Sequence, residues 1–566
     1  MDMSRHFENR LTLAGTDISG FTVIMGDDAS GAVRHAAKDF VKYIRLATGK
    51  KIDLLTDAEP GADKAGKRVL IGSTKFDTMR VIDACSKLKN DGYAIIAQGD
   101  SLFLTGASDT GAMYAVYSFL EDFAGCRFYS SKFDTVVPCG AVDVPDGYEY
   151  TFSPVIINRD THWFDTFDPA FAAKLKLNGA VRRNMDGYGN SMKYAGPFVH
   201  SLPALAGTKR EPDVQPCLTD PEVYEKVLQN ARKYLRETPG AKIISISQND
   251  SYPEGRGCQC ENCRKLDEQE GTPMGSLLTF VNKIAGELKK DWPDIYIDTL
   301  AYRYTRKAPK HLKPADNVII RLCSIECCFS HPLDSGCDRN KEFADDLKAW
   351  SEICKNLFIW DYTTDFLYYV NPFPNLKVLY DNVRFFVKNN VIGLFEQGEY
   401  QSHSGEFGEL RAYLLAKMMW DPDMSRQQYF AYMDDFLKGY YGSGWKYIRE
   451  YIDRTTELAE KGHMGIYYPI DKIFNIDRDN AAGIAAELSE LWRKAYDLAE
   501  DECRDNVEKS SLQMLYASLC LNWDNDSSPA EKKRLYDLMK KYDITYFREG
   551  CTLPGEPDLN CPPDRW

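Results

Sequence analysis

The sequence predicts an α/β protein whose centre is a (β/α)8 TIM-like barrel, preceded by a small α/β domain and followed by a helical C-terminal region. Three observations predict this. From Pro154 to about Asp421, apolar strand-like runs alternate with helical stretches, the signature of repeated βα units and a parallel sheet. A shorter, separate alternation precedes them, and the pattern behind them is helical alone. The length of 566 residues also requires several cores, because single cores stop growing near ~250–300 residues.

The front unit is assigned to residues 1–149. It reads FTVIMG as a strand, AVRHAAKDFVKYIRLATG as a helix, RVLIGS as a strand, and TGAMYAVYSFLEDFAG as a closing helix. YAIIAQGDSLFLTGA is a hairpin turned at Gly99-Asp100, since Gly and Asp tolerate the backbone such turns require. CGAVDVPDGYEYTFSP, rich in Gly and Pro, links it to the next unit.

The barrel is assigned to residues 150–424, with strands at VIINRD, NGAVRRN, KIISISQND, IYIDTLAY, NVIIRLCSIE, LFIWDY and VIGLFEQGEY. One further strand is expected near Phe198–Ala206. Seven or eight such strands match a barrel better than an open doubly wound sheet. Residues 425–566 read as helices, from SRQQYFAYMDDFLKGYYG through AAGIAAELSELWRKAYDLAEDE to SSPAEKKRLYDLMKKYDI.

Composition narrows the function. With 44% hydrophobic and 27% charged residues the chain buries large cores. A net charge of -14 argues against nucleic acid, whose affinity rests on Lys and Arg neutralising phosphates. A glycan or glycoprotein partner fits better, and the 34 Tyr and 9 Trp suit stacking on sugars as well as large cores. No stretch approaches the ~20 apolar residues of a membrane helix. The opening MDMSRHFENR lacks the apolar core of a signal peptide; the expected location is secreted, periplasmic or cell-surface, with a leader absent from this chain.

Candidate catalytic residues cluster at strand ends, where a barrel builds its active site. IISISQND ends abruptly in Gln248, Asn249 and Asp250. An adjacent amide and acid suit hydrolysis of an N-acetylhexosaminide: Asp250 protonates the leaving oxygen while Asn249 holds the acetamido group, whose own oxygen attacks the anomeric carbon. The structural alternative is an Asx turn capping the strand. Glu326, Asp361, Glu396 and Glu399 end other strands, accompanied by Tyr302, Tyr304, Trp360, Tyr362 and Tyr400. Arg159, Asp160, His162 and Trp163 end the first strand, and Arg182, Arg183 and Asn184 the next. Taken singly, each acid is also a common salt-bridge or hydrogen-bond partner, and each ring a common packing residue. His200 and His403 are further candidates for the pocket.

Of 16 cysteines, Cys258, Cys260 and Cys263 form one knot, and Cys323, Cys327, Cys328 and Cys337 another. Cys258-x-Cys260-x-x-Cys263 fits a structural zinc with Cys328, His331 or Cys337 as fourth ligand, or one or two disulfides. Catalytic zinc prefers His and carboxylate ligands, so no catalytic metal and no cofactor beyond a structural zinc is expected. No phosphate-binding loop with its Lys and no G-x-S-x-G elbow occurs, which argues against kinase, NTPase and serine-hydrolase chemistry.

SQND, CQCENC, GSLLTFVNKIA, IDTLAYRYTRKAPK and IIRLCSIECCFSHPL, in that order, resemble the bacterial proteins of glycoside hydrolase family 163, formerly a domain of unknown function. The resemblance spans roughly Pro154 to Trp420. DGYAIIAQGDSLFLTGASDTGAMYAVYSFLE looks like the non-catalytic α/β domain that precedes the barrel in α-glucuronidases and several hexosaminidases. The resemblance implies an endo-β-N-acetylglucosaminidase that cuts between the two core GlcNAc residues of complex N-glycans by substrate-assisted retention. Asp250 is then the acid/base and Asn249 the acetamido-orienting group, although hexosaminidases often carry Asp-Glu or Asp-Asp there. Glu326 and Glu399 follow as candidate acids, then Glu396 and Asp361. Arg159, His162, Trp163, Tyr302, Trp360, Asp361, Tyr362 and Glu396 are the expected substrate-binding residues. The alternatives are an exo-glycosidase, of α-glucuronidase or α-N-acetylglucosaminidase type, using Arg159, Arg182 and Arg303, and a non-catalytic glycan-binding protein.

Overall fold

A computed structural model describes residues 9–211, 214–252, 255–522 and 529–566. Residues 1–8, most of the opening read for a leader, and Ser527 and Ser528 of the last expected helix lie outside the described residues.

The front unit is a six-stranded sheet ordered Glu149–Phe152, Tyr93–Gln98, Ser101–Gly106, Arg68–Ile71, Thr22–Met25, Leu54–Thr56. Its expected hairpin turns at Gly99, at φ +58°, a conformation open to glycine at no steric cost. Helices Gly31–Thr48 and Asp109–Phe123 cover one face. Ser30 and Ser108 cap them by accepting from the backbone N–H of Val33 and Gly111. The second helix is almost wholly buried, because the central sheet's own layer packs on its far side. Glu121 lies there between Lys176 and Lys417, and Arg127 reaches Asp435 at 2.8 Å.

The central unit is a seven-stranded parallel sheet curled into a half-barrel. Its strands are β1 (Asn158–His162), β2 (Tyr194–Ala195), β3 (Ile243–Ser245), β4 (Tyr296–Ala301), β5 (Val318–Cys323), β6 (Asn356–Tyr362) and β7 (Val391–Gln397). The order is β1-β7-β6-β5-β4-β3-β2. NGAVRRN, expected as a strand, does not form one. Asn178 and Gly179 donate their N–H groups to the Arg159 carbonyl at 3.1 and 3.2 Å, and Gly179 makes a single parallel bridge to Met192. The chain then leaves, because Gly179 is pressed so close to Asp160 that a Cβ would sit 2.1 Å from its carboxylate. The strand sought near Phe198–Ala206 is instead the short helix Leu202–Ala206, with Pro203 in its first turn; the strand lies earlier, at β2.

Alternation along the strands separates two buried faces. Ile244, Ile297, Ile320, Ile359 and Leu394 join the large core under the helices. The concave face is layered. Ile243, Ile319 and Phe358 form an apolar floor. Above it Arg321 pairs with Asp298 at 2.7 Å, Tyr194 donates to the same carboxylate at 2.6 Å, and Arg183 pairs with Asp160 at 3.0 Å. Phe198, Phe395 and Trp360 form the next layer.

Five long helices follow: Arg426–Tyr441, Trp445–Ala459, Arg478–Leu498, Asp501–Leu521 and Pro529–Lys541. The chain then returns to the half-barrel as a hairpin, Tyr546–Arg548 with Cys551–Thr552. This hairpin docks on the segments after β6 and β7. Tyr369 N–H donates to the Phe547 carbonyl at 3.0 Å, Gly550 N–H to Gln401 at 2.8 Å, and Tyr546 N–H to the Ser402 hydroxyl at 3.2 Å. No helix among the described residues is long and apolar enough to cross a membrane.

Candidate active site

The carboxyl ends of the strands open into a mouth walled by side chains from distant segments. On one side β3 runs into Asp250, whose side chain is open to solvent and accepts from the Tyr302 hydroxyl at 3.2 Å. The His200 ring lies 4.0 Å from the same oxygen, with Nδ1 2.9 Å from the Gln248 carbonyl. Burial lowers the pKa of His200, favouring its neutral form. Burial and the Asp250 charge raise that of Tyr302, keeping its hydroxyl a donor. Arg182, His200 and Arg303 all have left-handed backbones, at φ +60°, +52° and +55°. Such conformations are uncommon for residues with a Cβ and cluster at functional sites.

The opposite wall is aromatic. Trp360 and Tyr362 stack at 6.2 Å, Trp360 Nε1 donates to Gln397 at 2.8 Å, and the Arg182 guanidinium lies 4.5 Å over the Tyr400 ring. His162 packs beneath against Phe395 and Tyr400. Into this wall the C-terminal hairpin delivers Glu549, at its turn. Its Oε1 accepts from the Tyr400 hydroxyl at 3.1 Å and from Gln397 Nε2 at 3.4 Å. The residue keeps accessible surface, yet the protein around it raises its carboxyl pKa, the Asp250 charge raises it further, and the Tyr400 and Gln397 bonds oppose both. Asp250 and Glu549 thus share one electrostatic environment. Tyr467, half-exposed, senses both, and burial with the Glu549 charge pushes its pKa up to about 12.

Several sequence expectations about this site need correction. Asn249, Asp250, Glu326 and Glu399 do not converge. The Asn249 amide is buried and turned away, donating to the Glu211 and Val214 carbonyls at 2.6 and 3.3 Å, which is a loop-anchoring role. Glu326 reaches the rim but is held by Arg303 and Arg306, at 3.4 and 3.1 Å. Glu399 is fully buried and accepts from Ser402, the hydroxyl that receives the hairpin's Tyr546 N–H. It therefore sits beneath the hairpin.

Asp361 and Glu396 are paired in register and share strand parity with Ile359 and Leu394, on the helix-facing side of the sheet. Burial pushes Asp361 up to about 6; burial and the Asp361 charge raise Glu396 further. Arg159 is buried between the central and front units, bonded to Asp91 at 3.3 Å and flanked by Tyr114 and Trp420. Trp163 is buried beside Gly398 and Gly408, its indole donating to Thr363. Tyr302, Trp360, Tyr362 and His162 do line the mouth or its floor. Sequence reasoning missed Glu549, Gln397 and Tyr467. The one available signal, the Glu549-Gly550 turn between strand-like residues, predicts a hairpin but not where it docks.

A four-cysteine group and a cysteine–histidine group flank the mouth. Cys217 joins Cys258, Cys260 and Cys263, and Cys328, His331, Cys337 and His463 form a second group. The expected fourth partner of the first trio among Cys328, His331 and Cys337 is thus replaced by Cys217. Cys217, Cys258, Cys260, Cys263, Cys328 and Cys337 are not joined in disulfides.

The chain belongs to the family described as a domain of unknown function, DUF4838, which matches residues 128–453. No curated protein sequence matches it. Among solved structures it is similar to BtGH115A, described as a family GH115 4-O-methyl-α-glucuronidase with specificity for decorated arabinogalactans. That likeness has a TM-score of 0.59 at 12% identity, over 92% of this chain and 76% of the other. CpGH84B matches at a TM-score of 0.48 and 10% identity, over 92% and 93% of the two chains. A GH138 enzyme targeting pectin rhamnogalacturonan II matches at 0.42 and 10%, over 92% and 91%. The first likeness is one of fold; the other two fall short of that.

Proposed function

We propose that this protein is a glycoside hydrolase whose reacting groups are Asp250 and Glu549. The observation that carries the reading is that two carboxyl groups from segments far apart in sequence lie within electrostatic reach of one another, each bonded to a tyrosine hydroxyl, near the rings of Trp360 and Tyr362. Glycosidic cleavage needs an acid to protonate the leaving oxygen and a second group to support the anomeric centre. Glu549, whose surroundings favour the protonated form, supplies the proton. Asp250, steadied by the Tyr302 hydroxyl, acts at the sugar's other side. The rings meet the apolar faces of the sugars. The fold shared with an α-glucuronidase agrees with this class.

In its finer form the substrate is a complex N-glycan and the bond lies between the two core GlcNAc residues. That form draws on the motif resemblance. Its attacking group is the substrate's acetamido oxygen, and in this reading Asp250, open to solvent, rather than the buried Asn249, orients the acetamido N–H. Incubation with a complex N-glycoprotein, followed by mass spectrometry, tests it. Release of the glycan with one GlcNAc left on the asparagine, lost in Glu549→Gln, is the expected result. Glycan binding without any product in the wild-type chain would mean a lectin-like role instead.

A second reading, an exo-acting uronidase, is favoured by Arg182, exposed at the mouth over Tyr400. A guanidinium there suits a terminal uronate carboxylate. Release of glucuronate from a terminal uronide, with intact N-glycans untouched, would select it.

A further inference from the structure

We propose that the chain binds two structural zinc ions, one on each flank of the mouth, and that they fix the loops carrying Asp250 and Tyr467. The first site is Cys217, Cys258, Cys260 and Cys263; the second is Cys328, His331, Cys337 and His463.

The distances match zinc and not disulfides. Tetrahedral zinc with Zn–S of about 2.3 Å sets sulfurs about 3.8 Å apart. Cys217 Sγ lies 3.7 Å from Cys260 Sγ and 4.0 Å from Cys263 Sγ. A disulfide would bring one pair to about 2.05 Å and leave the other two thiols aside, yet all four ligand atoms lie within 4.8 Å of one another. Cys263 N–H points at Cys260 Sγ from 3.4 Å, a bond that steadies a thiolate.

In the second site, mixed Zn–S and Zn–N bonds of about 2.3 and 2.05 Å set sulfur and nitrogen about 3.5 Å apart. Cys328 Sγ to His331 Nδ1 is 3.3 Å, and Cys337 Sγ to His463 Nδ1 is 3.5 Å. An independent observation points the same way. His331 Nε2 lies 3.0 Å from the Glu460 carbonyl, which can only accept. The ring proton therefore sits on Nε2, leaving the Nδ1 lone pair facing the site, the outer-shell arrangement of zinc-bound histidines.

Each site ties a rim segment to a distant part of the chain. The first holds the loop after Asp250 against the segment around Cys217, which also grips Asn249 through Gln215 at 3.0 Å. The second joins the loop after β5 to His463. The residues just beyond then bond back to the half-barrel: Met464 accepts from Phe329 N–H and Ile466 from Phe366 N–H, both at 2.8 Å. Tyr467 is placed by those bonds.

Native mass spectrometry and elemental analysis of the full chain, purified without a histidine tag, test the proposal. The expected result is two zinc ions per chain, falling to one in Cys217→Ser and in His463→Ala. Cobalt(II) in place of zinc should give the absorption of tetrahedral thiolate sites, at lower intensity in each variant. If a variant fails to fold, the wild-type stoichiometry still decides. A wild-type mass without metal, or one lighter by two hydrogens per cysteine pair, overturns the proposal. A single zinc that survives His463→Ala overturns the second site.

Discussion

The hydroxyl of Tyr400 donates to Oε1 of Glu549 at 3.1 Å, joining the end of the last sheet strand to a hairpin 149 residues further along the chain. That contact makes the hairpin a wall of the mouth rather than a terminal ornament.

Glu549→Gln keeps the shape and both acceptor bonds' geometry while removing the transferable proton. We expect kcat to fall by about 10²–10⁴, the usual contribution of a general acid, with thermal stability unchanged. Steady-state kinetics beside a melting curve separate the two; wild-type turnover in the variant would remove Glu549 from the chemistry.

Tyr400→Phe tests the same carboxyl through pH. A general acid works protonated, so kcat/KM declines as pH rises through its pKa. The Tyr400 hydroxyl favours the carboxylate and so lowers that pKa. Without it the descending limb should move to higher pH, and a profile that stays in place would show that another group sets the limb.

How much of this arrangement was legible in sequence differs by residue. The positions of Asp250, Tyr302, Trp360 and Tyr362 at the mouth were legible because strand ends face the mouth of a parallel α/β sheet. Glu396 was misread because β7 is buried on both faces: Phe395 and Gln397 point inward and Leu394 and Glu396 outward, and an apolar run does not say which parity is which. Arg159 and Trp163 failed similarly, their burial being set by the front unit and by a helix far along the chain. Glu549, Cys217 and His463 reach their partners over long separations, which local pattern does not encode. The irregular course at Asn178–Gly179 follows from one close approach to Asp160, a tertiary event.

Asp361 and Glu396 should leave a signature in stability. A carboxyl whose folded pKa exceeds its unfolded value contributes stability that is full below the unfolded pKa and declines as pH rises through the folded one. For Asp361 that window runs from about 3.8 to about 6, and Glu396 extends it upward. Tm of the wild type should therefore fall as pH rises from about 4 through about 6 and beyond, and Glu396→Gln should flatten the fall. Parallel curves for the two proteins would refute the assignment.

Inside the half-barrel, Asp298→Asn leaves the Arg321 guanidinium buried without its counter-charge. Breaking one side of such a pair costs about 3–5 kcal/mol, whereas replacing both partners with apolar residues is often far milder. Urea unfolding of Asp298→Asn and of Asp298→Leu/Arg321→Met should show that order, and the reverse order would mean the pair is not sealed from water.

The hairpin has a consequence for biogenesis. Because Glu549 follows the complete sheet by so long a stretch of chain, a nascent polypeptide can finish folding its half-barrel on the ribosome while the proposed proton donor is still unsynthesised. Premature termination ahead of the hairpin would then yield a product that lacks the acid of the proposed function and leaves Val370 and Leu512 without the cover of Phe547.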